Sequence, residues 1–172
     1  MAEPELRRAR DGDVTAIGRL VDAAYEGYRP LLGRTPTPML TDFAAAVRDH
    51  DVWILDGDEG PAAVIELIVP DDHLWVHNVA VEPSRQGNGL GRRLLRFAED
   101  EARRLELPAI GLLTNERYLE NIAMYERYGY RETHREPYRG TDLIHFRKVL
   151  EGPSPDRSGH GSTTPSPPAS GR

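Results

Sequence analysis

At 172 residues and 38% hydrophobic content, the chain has the length of one ordinary domain and enough apolar sequence for a core of its own. Its formal charge of −6 at pH 7 argues against a non-specific nucleic-acid or membrane-surface binder, which would carry a basic stripe, and favours a cationic partner. The absence of cysteine excludes disulfides, thiolate metal sites and a cysteine nucleophile.

The opening "MAEPELRRAR" has no apolar run for a signal peptide, and no later stretch approaches a membrane span, so a cytoplasmic protein is expected. "ELRRA" reads as a short first strand. "DGD", with Asp11 or Asp13 as cap, opens an amphipathic helix on which Val14, Ile17, Val21, Ala24, Tyr25 and Tyr28 recur at helical spacing. The proline-rich link "GRTPTPM" leads to a second helix in "LTDFAAAVRDH", capped by Thr41 or Asp42. The period then changes. "DVWIL", "AAVIELIV" and "HLWVHNVAV" are β-branched and aromatic runs separated by turn sequences, the pattern of an antiparallel meander.

A third helix carries Leu90, Leu94, Phe97, Ala98, Ala102 and Leu105 on one face. The buried strand "AIGLLTN" follows, predicted parallel to "HLWVHNVAV" because a whole helix separates them. A fourth helix, "YLENIAMYERYG", ends at Gly129 as a left-handed cap, and "YRETHRE" and "DLIHFRKVL" close the chain as a hairpin. The prediction is an α+β domain over residues 1–150, with a mixed, mostly antiparallel sheet of six or seven strands and about four helices. Residues 151–172 are rich in Pro, Ser and Gly with no large apolar residue, and are expected to be a disordered tail.

The segment "RQGNGLGRR" raises the functional question. A helix start offers free backbone N–H groups to an anion, and glycine lets a bulky phosphate approach the backbone, so a phosphate or pyrophosphate ligand is expected there. A P-loop would end in Gly-Lys-Ser/Thr, whereas this loop ends Gly91, Arg92, Arg93. A dinucleotide fingerprint needs its third glycine three places after the second, whereas Gly87, Gly89 and Gly91 are evenly spaced. What matches is Gln/Arg-x-x-Gly-x-Gly/Ala after a strand ending in x-Ala-Val-x-Pro, here "NVAVEPSRQGNGLG". With "ENIAMYERYGY", in which Asn121 and Tyr125 precede Gly129 and Tyr130, the sequence resembles the GNAT N-acetyltransferase superfamily from residue 5 to about 149.

The resemblance implies acetyl-CoA as co-substrate and an N-acetyltransferase acting on a primary amine, with direct attack on the thioester in a ternary complex. By the same resemblance, the backbone of Gln86, Gly87, Asn88, Gly89, Leu90 and Gly91 holds the pyrophosphate, and Arg92 or Arg85 helps neutralise phosphates. Val79, Ala80 and Val81 pair with the pantetheine amides at a strand that splays beside a bulge. The Val79 N–H points at the thioester oxygen, and Asn121 belongs to the cofactor site. Tyr125 matches the acid position; a phenol ordinarily titrates near pH 10 and is protonated at neutral pH. For the base, relatives place histidines at positions matching Trp75 and His77. Only His77 is a histidine here, and an imidazole ordinarily titrates near pH 6.5. Glu66 is the reserve base.

His73 and His77 also suggest a metal pair, but on a strand rising roughly 3.3 Å per residue they stand about 13 Å apart, too far for one ion. The acceptor, a small-molecule or protein amine, is expected to enter past Tyr25, Tyr28, Arg34 and "PTPM", with Asp22, Glu26, Asp71 and Asp72 attracting its ammonium. A homodimer is compatible with the resemblance. The alternative function is a non-catalytic CoA-binding sensor or interaction module of the same fold.

Overall fold

The computed structural model describes residues 5–152, so the expected tail lies outside the described residues except for its first two positions. Among the described residues, seven strands form a single sheet: β1 (Leu6–Arg8), β2 (Asp51–Gly57), β3 (Gly60–Ile68), β4 (Leu74–Val81), β5 (Ala109–Asn115), β6 (Arg131–Tyr138) and β7 (Thr141–Val149). They run in the order β1-β2-β3-β4-β5-β7-β6. Only β4 and β5 pair in parallel, as the intervening helix requires, and the other pairs are antiparallel. The helices are α1 (Val14–Tyr25), the single turn α2 (Arg29–Leu32), α3 (Phe43–Asp49), α4 (Leu90–Arg104) and α5 (Leu119–Arg127).

The helices cover the two faces of the sheet. On one face, Ile17, Leu20 and Val21 of α1 and Phe43 and Ala46 of α3 meet Val52, Ile54, Val64 and Ala80. On the other, Leu94, Leu95, Ala98 and Ala102 of α4 join Tyr125 of α5 over Ile65, Leu67, Val76, Leu112 and Phe146. Leu94 and Leu95 are fully buried, which stabilises by about 1.5–3 kcal/mol each. Among the described residues no helix is long and apolar enough to cross a membrane.

Two helix starts refine the sequence reading. Asp42 caps α3, its Oδ1 accepting from the Ala45 N–H at 3.0 Å. Neither Asp11 nor Asp13 caps α1 through its side chain. Asp13 turns back instead, accepting from Arg7 Nη1 and Nη2 at 2.9 and 2.8 Å and from the Arg10 N–H at 2.8 Å. A charge-assisted pair with Arg7 wins over a neutral cap. The proline-rich link also folds more than expected, with α2 ended by the left-handed Gly33 and a 3-10 turn over Thr37–Leu40.

Candidate active site

The site begins where β4 leaves β5. The two strands pair at only three rungs, Leu74 with Ile110, Trp75 with Gly111 and Val76 with Leu112. On its other side β4 slips register against β3: Leu67 pairs with Val76 but Glu66 with Asn78, so His77 is an extra, unpaired residue. A bulge of this kind bends its strand and resets which side chains face which way. Leu74 and Val76 before it, and Val79 and Val81 after it, pack on the α4 face, whereas Ala80 packs on the α1 face. From His77 onward β4 has no partner on the β5 side, and the strands part.

A cavity of about 310 Å³ occupies the opening. Its wall takes Trp75 to Val79 from β4, Leu112 to Asn115 from β5, Tyr118, Asn121 and Tyr125 from the α5 region, Tyr25 from the end of α1, Arg34 and Thr37 from the link before α3, and Tyr138 from the end of β6. Val79, Asn121, Tyr125 and His77, assigned separately from sequence, are thus brought together. Ala80 and Val81 continue the free edge of β4 away from the cavity.

That edge leads into the glycine loop. The Gln86 side chain donates from Nε2 to the Val81 carbonyl at 3.2 Å, tying the loop to the strand end. Gly87 and Gly89 have φ of 81° and 80°, conformations that a residue with a Cβ enters only under strain. Gly89 is the N-cap of α4, and the first bond in the helix is Arg93 N–H to Gly89 C=O at 2.9 Å. The N–H groups of Leu90, Gly91 and Arg92 therefore have no partner inside the helix. The Gln86 N–H, expected in the same cradle, is engaged with the Pro83 carbonyl at 3.3 Å, so Gln86 serves the loop by anchoring it. Gly91 has ordinary helical geometry. Arg92 lies over the Tyr128 ring at 5.3 Å, in a separate depression of about 260 Å³ with Arg96, Arg127 and Lys148.

Tyr125 is held by the way its helix ends. Gly129, at φ 92°, lets the Tyr130 N–H reach the Tyr125 carbonyl at 3.0 Å, the longer bond of a Schellman cap. The cap puts the two rings in contact, centroids 6.0 Å apart, with Phe146 also 6.0 Å from Tyr125. Tyr125 is 5% exposed, yet its hydroxyl has no hydrogen bond among the described residues and is not sealed off from the cavity. Burial pushes its phenol well above the ordinary range.

Tyr25, Tyr118 and Tyr138 line the same wall, and Tyr28, expected at the entrance, does not. Tyr28 stacks on Tyr118 at 3.9 Å, and burial pushes Tyr118 up to about 12. The Tyr25 hydroxyl donates to Asn78 Oδ1 at 3.3 Å and lies 3.4 Å from the Val79 carbonyl, and burial raises its phenol strongly.

Glu66 is 2% exposed and does not reach the cavity wall. Its Oε1 lies 2.5 Å from His50 Nδ1, while its Oε2 and the Nδ2 of Asn78, the residue opposite it in β4, are sealed without partners among the described residues. Asp22, Glu26, Asp71 and Asp72 are exposed, and none of them lines the cavity. Sequence reasoning missed Asn78, Asn115 and Tyr118. Asn115 donates from Nδ2 to Thr141 Oγ1 at 2.7 Å and accepts from the Arg117 N–H at 3.0 Å, fixing the end of β5 at the cavity. Asparagine inside a run of strand-forming residues was the available signal. Among the described residues no group of three or more His, Asp or Glu is placed to hold a metal ion.

A mixed sheet split at its one parallel pair, with a helix of open first turn beyond the split, defines a fold of the GNAT acetyltransferase type. The model of the acetyltransferase (GNAT) family matches residues 17–130, and the chain belongs to that family. Among solved structures it is similar to the ribosomal-protein-S18-alanine N-acetyltransferase from Escherichia coli, at 20% identity over 91% of this chain and 99% of that one, with a TM-score of 0.70. It is similar also to the PaiA N-acetyltransferase of Thermoplasma acidophilum in complex with coenzyme A, at 14% identity over 87% and 100% of the two chains and a TM-score of 0.73. A GNAT family acetyltransferase from Elizabethkingia anophelis with acetyl-CoA bound matches at 16% identity over 85% and 97%, with a TM-score of 0.62. At these identities the likeness is one of fold. No curated protein matches the chain.

Proposed function

We propose that the protein transfers an acetyl group from acetyl-CoA to a primary amine, by direct attack of the amine on the thioester within a ternary complex. One observation carries this reading: the free edge of β4 runs from a cavity holding Tyr125, Val79 and His77 to a glycine loop with open N–H groups. Two features fit the residues to CoA. The helix start at Gly87–Arg92 suits a pyrophosphate, and an unpaired strand edge at Val79–Val81 suits an extended arm with two amides. Asn121, one turn before Tyr125 on the cavity wall, supplies a further amide to the arm.

Acetyl-CoA brings an already activated acyl group, so no acyl-enzyme is needed. A strand residue's N–H and C=O point to the same edge, and the Val79 carbonyl faces the Tyr25 hydroxyl on the cavity side. The Val79 N–H therefore donates to the thioester oxygen as it becomes an oxyanion. His77, exposed in the bulge on the cavity wall, accepts the proton that the attacking ammonium must lose. Tyr125 donates to the departing sulfur. The nitrogen loses two protons in all. One goes to His77 and on to solvent, which makes the ammonium a nucleophile. The second leaves as the tetrahedral intermediate collapses and restores the proton Tyr125 has given to the thiolate, so the transfer yields a neutral amide, a free thiol and one released proton.

The test is thiol release from acetyl-CoA with and without amines, which has a clean background because the chain contains no cysteine. Release that depends on both acetyl-CoA and an amine is expected. Stabilisation by acetyl-CoA with no release for any amine would instead identify a CoA-binding module without turnover.

A further inference from the structure

The chain is acidic, but the cavity is not. Among the described residues no aspartate or glutamate contributes to its wall, and the one fixed charge there is the guanidinium of Arg34. This arginine lies in the chain between α2 and the 3-10 turn Thr37–Leu40 and contributes to the cavity wall. Its guanidinium lies 5.2 Å from the ring centroid of Tyr138, and Tyr138 is held in turn by Thr37, whose Oγ1 is 3.1 Å from the Tyr138 hydroxyl. Arg139 stacks on the same ring at 5.4 Å without reaching the cavity wall. Arg34 Nε is sealed from solvent and has no hydrogen-bond partner among the described residues, and no described carboxylate pairs with the guanidinium.

A partly buried guanidinium on a cavity wall is costly without a counter-ion, and because Nε is sealed, an anion in the cavity would have to be met by the Nη groups. Two anions are available. The CoA phosphates are excluded by position, because no residue of the 82–92 loop contributes to the cavity wall. The remaining anion belongs to the acceptor. We infer that Arg34 binds a carboxylate on the acceptor, so that the substrate is a small amine that also carries a carboxylate, of amino-acid type. Such a zwitterion presents its ammonium to His77 and its carboxylate to the planar donor fork of Arg34, and a volume of about 310 Å³ suits a molecule of that size. This replaces the attraction expected from Asp22, Glu26, Asp71 and Asp72, which stand outside the cavity. The inference rests on the acetyl-transfer reading above.

The experiment measures kcat/KM by thiol release for a panel of free amino acids, each matched with its amide and its decarboxylated amine. The wild-type protein is expected to favour the best free acid over its matched amide on the order of 10- to 100-fold, the range of a charge-assisted hydrogen bond. Arg34→Gln should bring that ratio to about one, and Arg34→Lys, which keeps the charge without the fork, should fall between. Stabilisation of both variants by acetyl-CoA reports that they are folded. A purely structural role for Arg34 would lower acid and amide alike and leave the ratio unchanged, which overturns the inference. So does equal use of acids and amides by the wild type, or turnover of no carboxylate-bearing amine by a protein that acetyl-CoA stabilises. Absence of that stabilisation would remove instead the reading beneath it.

Discussion

Replacing Tyr125 by phenylalanine removes one oxygen from the cavity wall and leaves the packing of the ring in place. The ring keeps its contacts with Tyr130 and Phe146, each at 6.0 Å between centroids, and the helix cap that orients it is made by backbone groups. The hydroxyl has no hydrogen-bond partner among the described residues, so its removal leaves no donor or acceptor unsatisfied. Tyr125→Phe should therefore change stability by no more than about 0.5 kcal/mol. Loss of a general acid costs about 10²–10⁴ in rate, equivalent to about 3–5 kcal/mol of barrier.

The two readouts thus separate sharply. The assay is thiol release under saturating acetyl-CoA, run beside melting curves with and without acetyl-CoA. The expected result is a large fall in kcat, an unchanged melting temperature and retained stabilisation by acetyl-CoA. Burial holds the phenol above its ordinary range, so in the wild type it stays protonated up to at least about pH 10 and should impose no alkaline fall in rate below that pH. Full turnover by the variant across the pH range would refute the assignment of Tyr125. A drop of several degrees in melting temperature would show a structural role for the hydroxyl.

At Gly89, φ is 80° and nothing lies within 4 Å of where a Cβ would stand, so Gly89→Val should cost about 1–2 kcal/mol through backbone strain alone. Its larger effect should be a weakened acetyl-CoA response, seen as a smaller melting shift; an undiminished shift would detach the loop from CoA binding. Asp13→Asn should destabilise by about 1 kcal/mol at neutral pH, a value discounted because Arg7 and Asp13 are 30% and 17% exposed. Arg7 holds the Asp13 carboxyl below its ordinary range, so this stability is present above about pH 4 and is lost as pH falls further. Melting curves at pH 7 and in the acid range check that the difference closes. Burial raises the phenols of Tyr25, Tyr125 and Tyr130, which favours the neutral folded protein; stability should decline as pH rises above about 10, and a flat alkaline profile would contradict those burials.

Much of this was legible in the residues. β-branched runs in "DVWIL" and "AAVIELIV" marked β2 and β3, and a whole helix between "HLWVHNVAV" and "AIGLLTN" required the parallel pairing of β4 with β5. Even spacing of Gly87, Gly89 and Gly91 located the open start of α4, although only the first two have the positive φ that glycine permits. A bulge in this strand was expected from the family resemblance alone, and its place at His77 came only with the structure, because a one-residue register shift leaves no trace in the hydrophobic pattern. The acidic residues expected to attract the acceptor's ammonium, Asp22 and Asp71 among them, face solvent, since charge in a sequence does not tell which wall it lines. Arg34 was visible at the entrance, but its lack of a counter-ion depends on Tyr138, 104 positions away in the chain, and on a carboxylate-free wall.

The most direct test of the whole account is the melting temperature of the wild-type protein with acetyl-CoA, with ATP and NAD as comparison ligands. At about 100 times its dissociation constant a ligand adds about 2.7 kcal/mol, a shift of about 5–10 °C for a domain of this size. The account predicts that shift with acetyl-CoA and none with ATP or NAD. No shift with acetyl-CoA would make the glycine loop a strand-to-helix turn and nothing more, and an equal shift with ATP or NAD would contradict the split strand edge as the feature that selects CoA.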